Sequence, residues 1–400
     1  MSGSPGKLSS KKLNVLCLSY WYDSKISLPE DLLELYSSTT GWVEALSTEG
    51  AQVTVLQRFH RHARFERNGV VFQFHADMYG PELHNWQIPW SFHRAIRRVC
   101  ARMGPKAEAT VVHFNGLLFP LHLLALKAML PRRSPIVVQH HAERPWRGLR
   151  RHVQRWGLRA ADGFFFAASG LASPWADDGL ILDNQPVYQV MEGSTSFRRK
   201  DRATARAKTG VTGDPTVLWV GQLISRKDPL TVLRGFESVL QQAPKARLYM
   251  IYGNDDLLPE VRARVASSAS LARSVTFAGS VPHAEMESYY NSADYFVLGS
   301  HYEGSGYALV EALACGVVPV VTDIPSFRVM TDGGKIGACW PPGDAEAFAT
   351  AFLNVLRQPV EPLSERAVAF FEDQLSFPAI ARKAIKAYGA VAARRAAQNP

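Results

Sequence analysis

Short apolar runs of strand length alternate along the chain with segments whose apolar residues recur at helical spacing. The predicted strands are 13–18, 52–56, 70–74, 109–113, 136–140 and 163–168, and then 216–220, 247–252, 274–278, 294–298 and 317–322. The predicted helices are 41–49, 91–103, 117–130 and 148–160, then 228–242, 257–267, 283–291, 307–315 and 344–357, and two more within 363–396. This alternation is typical of a parallel sheet with helices on both faces.

The same pattern begins twice, at 13–18 and at 216–220, which predicts two successive α/β domains with Rossmann-like, doubly wound sheets. We expect an N-terminal domain over 1–195, a C-terminal domain over 196–375, and a last helix over 376–400 that packs back on the N-terminal domain. The junction near 190–213 is basic and poor in apolar residues, which predicts an exposed linker. Ligands of such sheets bind beyond the carboxyl ends of the strands. Two sheets that face each other would therefore share a central cleft.

Composition excludes several classes of protein. Hydrophobic residues make up 46% and charged residues 20% of the chain, which excludes wholesale disorder. No apolar run reaches the roughly 20 residues of a membrane span, and the polar, basic residues 1–12 do not resemble a secretory signal. We therefore expect a cytoplasmic protein.

The four cysteines show no CxxC spacing, which argues against a zinc ribbon. The net charge of +9 suits an acidic partner.

Residues 144–159 form a basic stretch, RPWRGLRRHVQRWGLR, with six arginines and no acid. On a helix, Leu149, Val153 and Trp156 would lie on one face. Two interpretations stay open: a helix packed on the core with a solvated basic side, or contact with an anionic membrane surface at its inner face. Nucleic-acid binding is a third, but no recognised nucleic-acid module accompanies the stretch, so we expect no nucleic-acid partner.

A glycine-containing motif, Glu-Gly-Ser-Gly-Tyr-Ala-Leu-Val-Glu at 303–311, follows the predicted strand 294–298. It places a bare loop directly before a predicted helix. Free backbone N–H groups and the positive end of the helix dipole make such a point favourable for a diphosphate. Glu303 precedes the loop, and Glu311 lies about one helical turn into the helix. Alone, a Gly-x-Gly sequence also fits a flexible turn, with Glu303 a solvated surface acid.

The surrounding segments resemble the C-terminal domain of retaining glycosyltransferases of family 4, which have the GT-B fold. The resemblance covers about residues 217–356. Beyond the Glu-x7-Glu spacing, it includes four segments: Trp219-Val220-Gly221-Gln222-Leu223 with Lys227, the run 275–281, Tyr290-Asn291-Ser292-Ala293-Asp294, and Pro341-Pro342-Gly343-Asp344. The match of so many segments in order makes the resemblance specific.

The resemblance implies roles for individual residues in donor binding. Glu303 would contact hydroxyls of the donor sugar, Glu311 the ribose of the nucleotide, and Lys227 the diphosphate. This chain has Gln222 where the family usually has arginine, and Arg226 could supply the missing charge. The remaining donor-binding residues that we expect are Gly221, Gly304, Ser305, Gly306, Tyr307, Ala308 and Ser280.

The N-terminal half resembles the family more loosely. The segments 110–116 and 136–142 resemble strand ends at which the family places cleft-facing histidines. His141 would lie near the anomeric carbon of the donor and is our third catalytic candidate beside Glu303 and Lys227. His113 and His140 are expected in the same cleft. The family's glycine loop would fall near Gly41, after about twenty additional residues that suggest a longer lid over the acceptor site.

The sequence therefore predicts an enzyme that moves a sugar from a nucleoside-diphosphate sugar to an acceptor hydroxyl with retention of configuration. The acceptor is open: a glycan, a lipid-linked sugar or a small molecule. The chain has no Asp-x-Asp, the motif that holds a divalent metal in the other major nucleotide-sugar fold, so we expect neither metal nor cofactor. By resemblance, the leaving phosphate deprotonates the incoming hydroxyl. The alternatives are a sugar-nucleotide epimerase, a glycoside phosphorylase, or a non-catalytic basic binding protein.

Overall fold

The computed structural model describes residues 13–103 and 110–398, so the expectation about residues 1–12 lies outside the described part. The chain forms two compact units. The first comprises Met1–Phe165, Pro174–Val190 and Ala381–Pro400, and the second comprises Phe166–Ser173 and Met191–Ile380. Both units are thus discontinuous in the sequence.

The first unit contains an eight-stranded sheet with the order β3-β4-β2-β1-β5-β6-β7-β8. Its registered strand pairs are parallel except β3 with β4. The strands are β1 (Asn14–Ser19), β2 (Gln52–Phe59), β3 (Ala63–Arg67), β4 (Val70–Ala76), β5 (Thr110–Asn115), β6 (Ile136–Gln139), β7 (Gly163–Phe166) and β8 (Val187–Gln189). The central strands β1, β5 and β6 are buried along almost their whole length, as expected for strands covered by helices on both faces.

The helices up to residue 177 are α1 (Pro29–Leu35), α2 (Ser37–Thr48), α3 (Trp90–Met103), α4 (Pro120–Met129), α5 (Arg150–Leu158) and α6 (Ser173–Asp177). Two of them begin with proline at the first helical position, where its missing N–H costs nothing. The four cysteines of the chain are free.

The second unit contains a six-stranded, wholly parallel sheet with the order β11-β10-β9-β12-β13-β14. The strands are β9 (Thr216–Gly221), β10 (Arg247–Tyr252), β11 (Val275–Gly279), β12 (Tyr295–Leu298), β13 (Val318–Thr322) and β14 (Ala338–Trp340). In chain order this is 3-2-1-4-5-6, the order of a doubly wound dinucleotide-binding sheet.

The helices from residue 202 onward are α7 (Arg202–Thr209), α8 (Pro229–Gln242), α9 (Leu258–Ala266), α10 (Ala269–Ser274), α11 (His283–Ser292), α12 (Tyr307–Ala314), α13 (Pro325–Met330), α14 (Ala345–Leu356), α15 (Val360–Phe370) and α16 (Phe377–Gln398). A π-helical turn at Phe371–Leu375 separates the last two. Within the described ranges, no helix is both long and apolar enough to span a bilayer.

One prediction about a surface is wrong, and the structure bears on a second surface that the sequence left open. The junction 190–213 is not an exposed linker, because it contains α7 and because Val190, Met191 and Ser194 are buried. Within the basic stretch 144–159, residues Arg150–Leu158 form α5, which buries Gln154, Gly157 and Leu158 but not the apolar residues that the sequence placed on one face. Leu149, Val153 and Trp156 are all exposed.

Candidate active site

The strand order of the second unit reverses between β9 and β12. From β9 the chain proceeds outward to β10 and β11, and from β12 it proceeds the other way to β13 and β14. The loops that follow these two strands therefore diverge and leave a crevice between them at the carboxyl end of the sheet. The loop after β9 carries Arg226 and Lys227, and the loop after β12 carries Glu303.

Gly299 allows these two loops to approach each other closely. A Cβ atom at this position would lie 2.9 Å from the carbonyl oxygen of Asp228 and 3.1 Å from Cγ2 of Val232. The backbone N–H of His301 donates to the carbonyl oxygen of Arg226 at 2.9 Å, which fixes the two loops to each other. The side chain of His301 also lies 3.0 Å from Oδ2 of Asp228.

Glu303 is 6% exposed and its carboxylate is held by three donors. The Ser300 hydroxyl donates to Oε1 at 2.6 Å, and the ammonium group of Lys227 donates to the same oxygen. Nη1 of Arg226 donates to Oε2 at 3.1 Å and to the carbonyl oxygen of Tyr302 at 2.7 Å. Burial lowers the pKa of Lys227, and the negative charge of Glu303 acts in the opposite direction. Two cations thus share one carboxylate.

The loop between Glu303 and α12 is buried and places a helix N-terminus beside this cluster. Gly306 adopts φ 58°, and a Cβ atom there would lie 2.7 Å from Cε1 of Phe327, so this position requires glycine. The Ser305 hydroxyl is buried and has no hydrogen-bond partner within the described residues. The unit therefore presents a buried hydroxyl and the positive end of a helix next to two cations.

Glu311 lies on α12, one turn beyond this loop, and contacts a residue that the sequence analysis missed. Nε2 of His283 is 3.0 Å from Oε1 of Glu311, and the imidazole stacks on Phe197 with ring centroids 5.1 Å apart. The hydrogen bond with Glu311 raises the pKa of His283. His283 could have been noticed because it lies two residues after the run 275–281, one of the segments that carry the resemblance.

The other predicted donor residues of the second unit take varied positions. Gly221 ends β9, and the next residue, Gln222, is exposed. Ser280 is also exposed and follows Gly279, which has φ 70° at the end of β11. Tyr307 is exposed, and Ala308 is half-buried in the first turn of α12.

In the first unit, a hydrogen-bonded chain joins β5 to the segment after β6. Oδ1 of Asn115 lies 2.9 Å from Nε2 of His141 and 3.2 Å from Nε2 of His113, while its amide donates to the carbonyl oxygen of Leu18 at 2.9 Å. Since Oδ1 can only accept, both histidines donate from Nε2. Nδ1 of His113 then accepts from the Tyr388 hydroxyl at 2.7 Å. Sequence reasoning missed Asn115 and Tyr388.

The segment around His141 is further fixed by Glu143, another missed residue. The His141 backbone N–H donates to Oε2 of Glu143 at 2.5 Å, and the Leu117 backbone N–H donates to Oε1 at 3.0 Å. His141 itself is half-buried. The carboxylate of Glu143 therefore ties the ends of two neighbouring strands together.

Three of the predicted cleft residues differ from expectation. His113 is buried among aromatic rings, and burial lowers its pKa to about 3. His140 is buried as well, and its Nε2 donates to the carbonyl oxygen of Glu143 at 2.9 Å. Neither histidine faces solvent, since His113 lies within the buried strand β5 and His140 directly follows the buried strand β6. Gly41 lies inside α2 and not in a loop, because the extra segment before it forms α1 and the start of α2.

Within the described ranges, no group of three or more His, Cys, Asp or Glu side chains could hold a metal ion.

Comparison with known proteins finds a family match within the second unit. Residues 201–370 match the family described as "Glycosyl transferases group 1". Among curated proteins, the D-inositol 3-phosphate glycosyltransferase of Rhodococcus jostii is 28% identical over 171 residues, which are 41% of this chain and 38% of the relative. The GDP-mannose:cellobiosyl-diphosphopolyprenol alpha-mannosyltransferase of Xanthomonas campestris is 26% identical over 238 residues, 58% of this chain and 61% of the relative. The chain spans less than half the length of the first relatives that it matches.

Solved structures confirm the predicted fold class. Sucrose-phosphate synthase from Thermosynechococcus elongatus superposes with a TM-score of 0.68 and 20% identity, over 95% of this chain and all of that chain. The trehalose-6-phosphate enzyme of E. coli bound with UDP-2-fluoro glucose superposes with a TM-score of 0.64 and 11% identity, over 94% of this chain and 99% of that chain. The chain has the GT-B fold, with two Rossmann-like α/β units.

Proposed function

We propose that this chain is a retaining glycosyltransferase that moves a sugar from a nucleoside-diphosphate sugar to an acceptor hydroxyl without a metal ion or a cofactor. The second unit would bind the donor and the first unit the acceptor. The two curated relatives reported above are named a glycosyltransferase and a mannosyltransferase, which supports the reaction class. The nucleotide sugar is a substrate, and we place its use in the cytoplasm.

The convergence of Arg226 and Lys227 on Glu303 is the observation that carries this proposal. Two cations against one carboxylate leave one positive charge uncompensated at the crevice of the second unit. A diphosphate gains negative charge as its bond to the sugar breaks, and fixed cations and helix N–H groups stabilise that charge in the transition state. In this site, the side-chain cations and the N-terminus of α12 would do the work that a metal does elsewhere.

The environment of Glu303 favours a binding role over a nucleophilic one. Three donors already stabilise its negative charge, and this stabilisation weakens a carboxylate as a nucleophile. We assign Glu303 to the hydroxyls of the donor sugar. The leaving phosphate would then take the proton of the incoming acceptor hydroxyl on the same face of the sugar, which gives retention.

The remaining roles follow from position. Glu311 would bind the ribose hydroxyls, which would replace its contact with His283. The Ser305 hydroxyl, buried beside the helix N-terminus, would donate to a phosphate oxygen or to the sugar. In the first unit, His141 is the catalytic candidate, with its Nε2 hydrogen-bonded to Asn115 and its backbone N–H hydrogen-bonded to Glu143. His113 would act through Asn115 as a positioning residue, since it is buried.

The test is product analysis with a panel of UDP-, GDP- and ADP-sugars in EDTA, with and without acceptors. The acceptors would be free sugars, an inositol phosphate and a polyprenyl diphosphate-linked sugar. NMR of the product gives the anomeric configuration. We expect one donor to yield a glycoside of retained configuration, and Glu303→Gln to abolish it while leaving the melting temperature within a few degrees.

Other reaction products would identify one of the alternative functions instead. An inverted glycoside would overturn retention. An isomerised sugar formed without acceptor would indicate an epimerase, and transfer that requires inorganic phosphate would indicate a phosphorylase. If calorimetry detects no binding of any nucleotide sugar, the chain is a non-catalytic binding protein.

A further inference from the structure

Helix α5 packs on the first unit through three buried residues, Gln154, Gly157 and Leu158. A Cβ atom at Gly157 would lie 2.2 Å from Cβ of Pro120, at the start of α4, so only glycine allows this contact. The buried amide of Gln154 donates to the carbonyl oxygen of Leu117 at 3.1 Å and accepts from the Trp146 backbone N–H at 2.8 Å. These contacts fix the rotation of the helix about its axis.

Three other apolar residues, at the start of α5 and along it, consequently point away from the core. Leu149 is 86% exposed, Trp156 59% and Val153 40%. Spacings of four and three residues place the three side chains on one side of the helix. A cluster of large apolar side chains in water is unfavourable unless another surface covers it, so such a patch indicates an interaction site.

The patch continues beyond the helix. Val153 and Arg150 line a groove of about 450 Å³ together with Trp86, which is 70% exposed and whose ring stacks on His84. The arginines around the patch are all exposed, namely Arg144, Arg147, Arg150, Arg151, Arg155 and Arg159. Arg151 pairs with Asp178 at 2.9 Å. We call residues 144–159 with Trp86 the arginine–tryptophan surface.

We propose that the arginine–tryptophan surface docks on an anionic lipid bilayer. Leu149, Val153, Trp156 and Trp86 would enter the interfacial layer, and the arginines would contact lipid phosphates. The combination of positive charge with exposed tryptophan and aliphatic side chains is that of a helix lying in a membrane interface. A phosphate backbone of nucleic acid would satisfy the arginines but leave Leu149 and Val153 in water. This proposal does not rest on the transferase activity.

The test is sedimentation of the full chain with vesicles, without any nucleotide sugar. One set of vesicles is pure phosphatidylcholine, and the other contains 30% phosphatidylglycerol. We expect at least tenfold tighter binding to the anionic vesicles, weakened by salt. Leu149→Ser/Trp156→Ser and Arg147→Gln/Arg150→Gln should each lower the affinity about tenfold or more. All these positions are exposed, so the melting temperature should not change.

Matched control variants test whether vesicle binding depends on this surface or only on the total charge and the exposed leucines of the chain. Arg273→Gln/Arg357→Gln removes the same charge from exposed positions elsewhere, and Leu28→Ser/Leu35→Ser removes exposed leucines elsewhere. Both should bind vesicles like the unchanged protein. Equal binding by all variants, or no preference for anionic vesicles, would overturn the proposal. Tighter binding to a fluorescent single-stranded RNA, lost in the arginine variant but kept in the Leu149/Trp156 variant, would assign nucleic acid instead.

Discussion

Lys227 and Glu303 form an ion pair although 76 residues separate them in the chain. Each lies in the loop that follows one of two neighbouring strands, β9 and β12, between which the strand order of the second unit reverses. The pair therefore marks the point at which a doubly wound sheet binds its ligand. The proposed function depends on this pair.

The close approach of the two loops at Gly299 can be tested by adding a single methyl group. Gly299→Ala would bring Cβ to 2.9 Å from the carbonyl oxygen of Asp228, so the loops must separate. We expect a loss of about 1–3 kcal/mol in the free energy of unfolding and a large loss of donor turnover. The control is Gly253→Ala, which also follows a strand end but whose Cβ would meet no atom within 4 Å. Equal effects of the two substitutions would contradict the packing described here.

The hydrogen bond between Tyr388 and His113 predicts a cost in stability. Tyr388→Phe would leave Nδ1 of a buried imidazole without a donor, which costs about 1–3 kcal/mol. Urea unfolding measures the loss, and the exposed Tyr36→Phe is the control. Burial lowers the pKa of His113 to about 3 in the folded protein, whereas its pKa in the unfolded chain is near 6.5. The free energy of unfolding should therefore also decrease as the pH falls from 6.5 towards 3. An unchanged unfolding midpoint in Tyr388→Phe would refute the network.

The contact between His283 and Glu311 predicts a pH dependence of nucleotide affinity. The pKa of His283 is raised in the folded protein, so this pair stabilises the fold at pH values below the pKa of the unfolded state. That stabilisation is lost as the pH rises through the raised pKa. Protonated His283 would compete with the ribose for Glu311, and calorimetry should therefore show affinity for the nucleoside diphosphate increasing several-fold from pH 5.5 to 8. His283→Gln should flatten this profile. A profile that is the same in both proteins would remove Glu311 or His283 from the site.

Elements with strong apolar periodicity could be predicted from the sequence, whereas elements fixed by tertiary contacts could not. The central strands and α8, α12 and α14 lie within a few residues of their predicted bounds. Helix α7 was missed because only Ala205 in it is buried. Its local signals were an Asp201 N-cap that accepts from the Thr204 N–H at 2.8 Å and a left-handed Gly210 at its end.

In the candidate site, too, some residues could be predicted from the sequence and others could not. The motif at 303–311 and the resemblance to a known family together identified Glu303, Lys227 and Arg226, and the structure brings these three side chains together. Asn115 and Tyr388 could not be found in this way. They act through hydrogen bonds across the first unit, and no local pattern distinguishes them from ordinary polar residues. The exposure of Leu149 was also hidden, because periodicity shows that a helix has an apolar face but not what covers it.

The most direct test of the central claim is release of nucleoside diphosphate from the nucleotide-sugar panel in EDTA, compared between the unchanged protein and Lys227→Ala. Lys335→Ala, which removes an exposed lysine from the same unit, is the control. We predict turnover of one donor, a decrease in kcat of about 10²- to 10³-fold in Lys227→Ala, and no change in the control. Turnover that survives Lys227→Ala unchanged would contradict the claim that this site stabilises the leaving diphosphate.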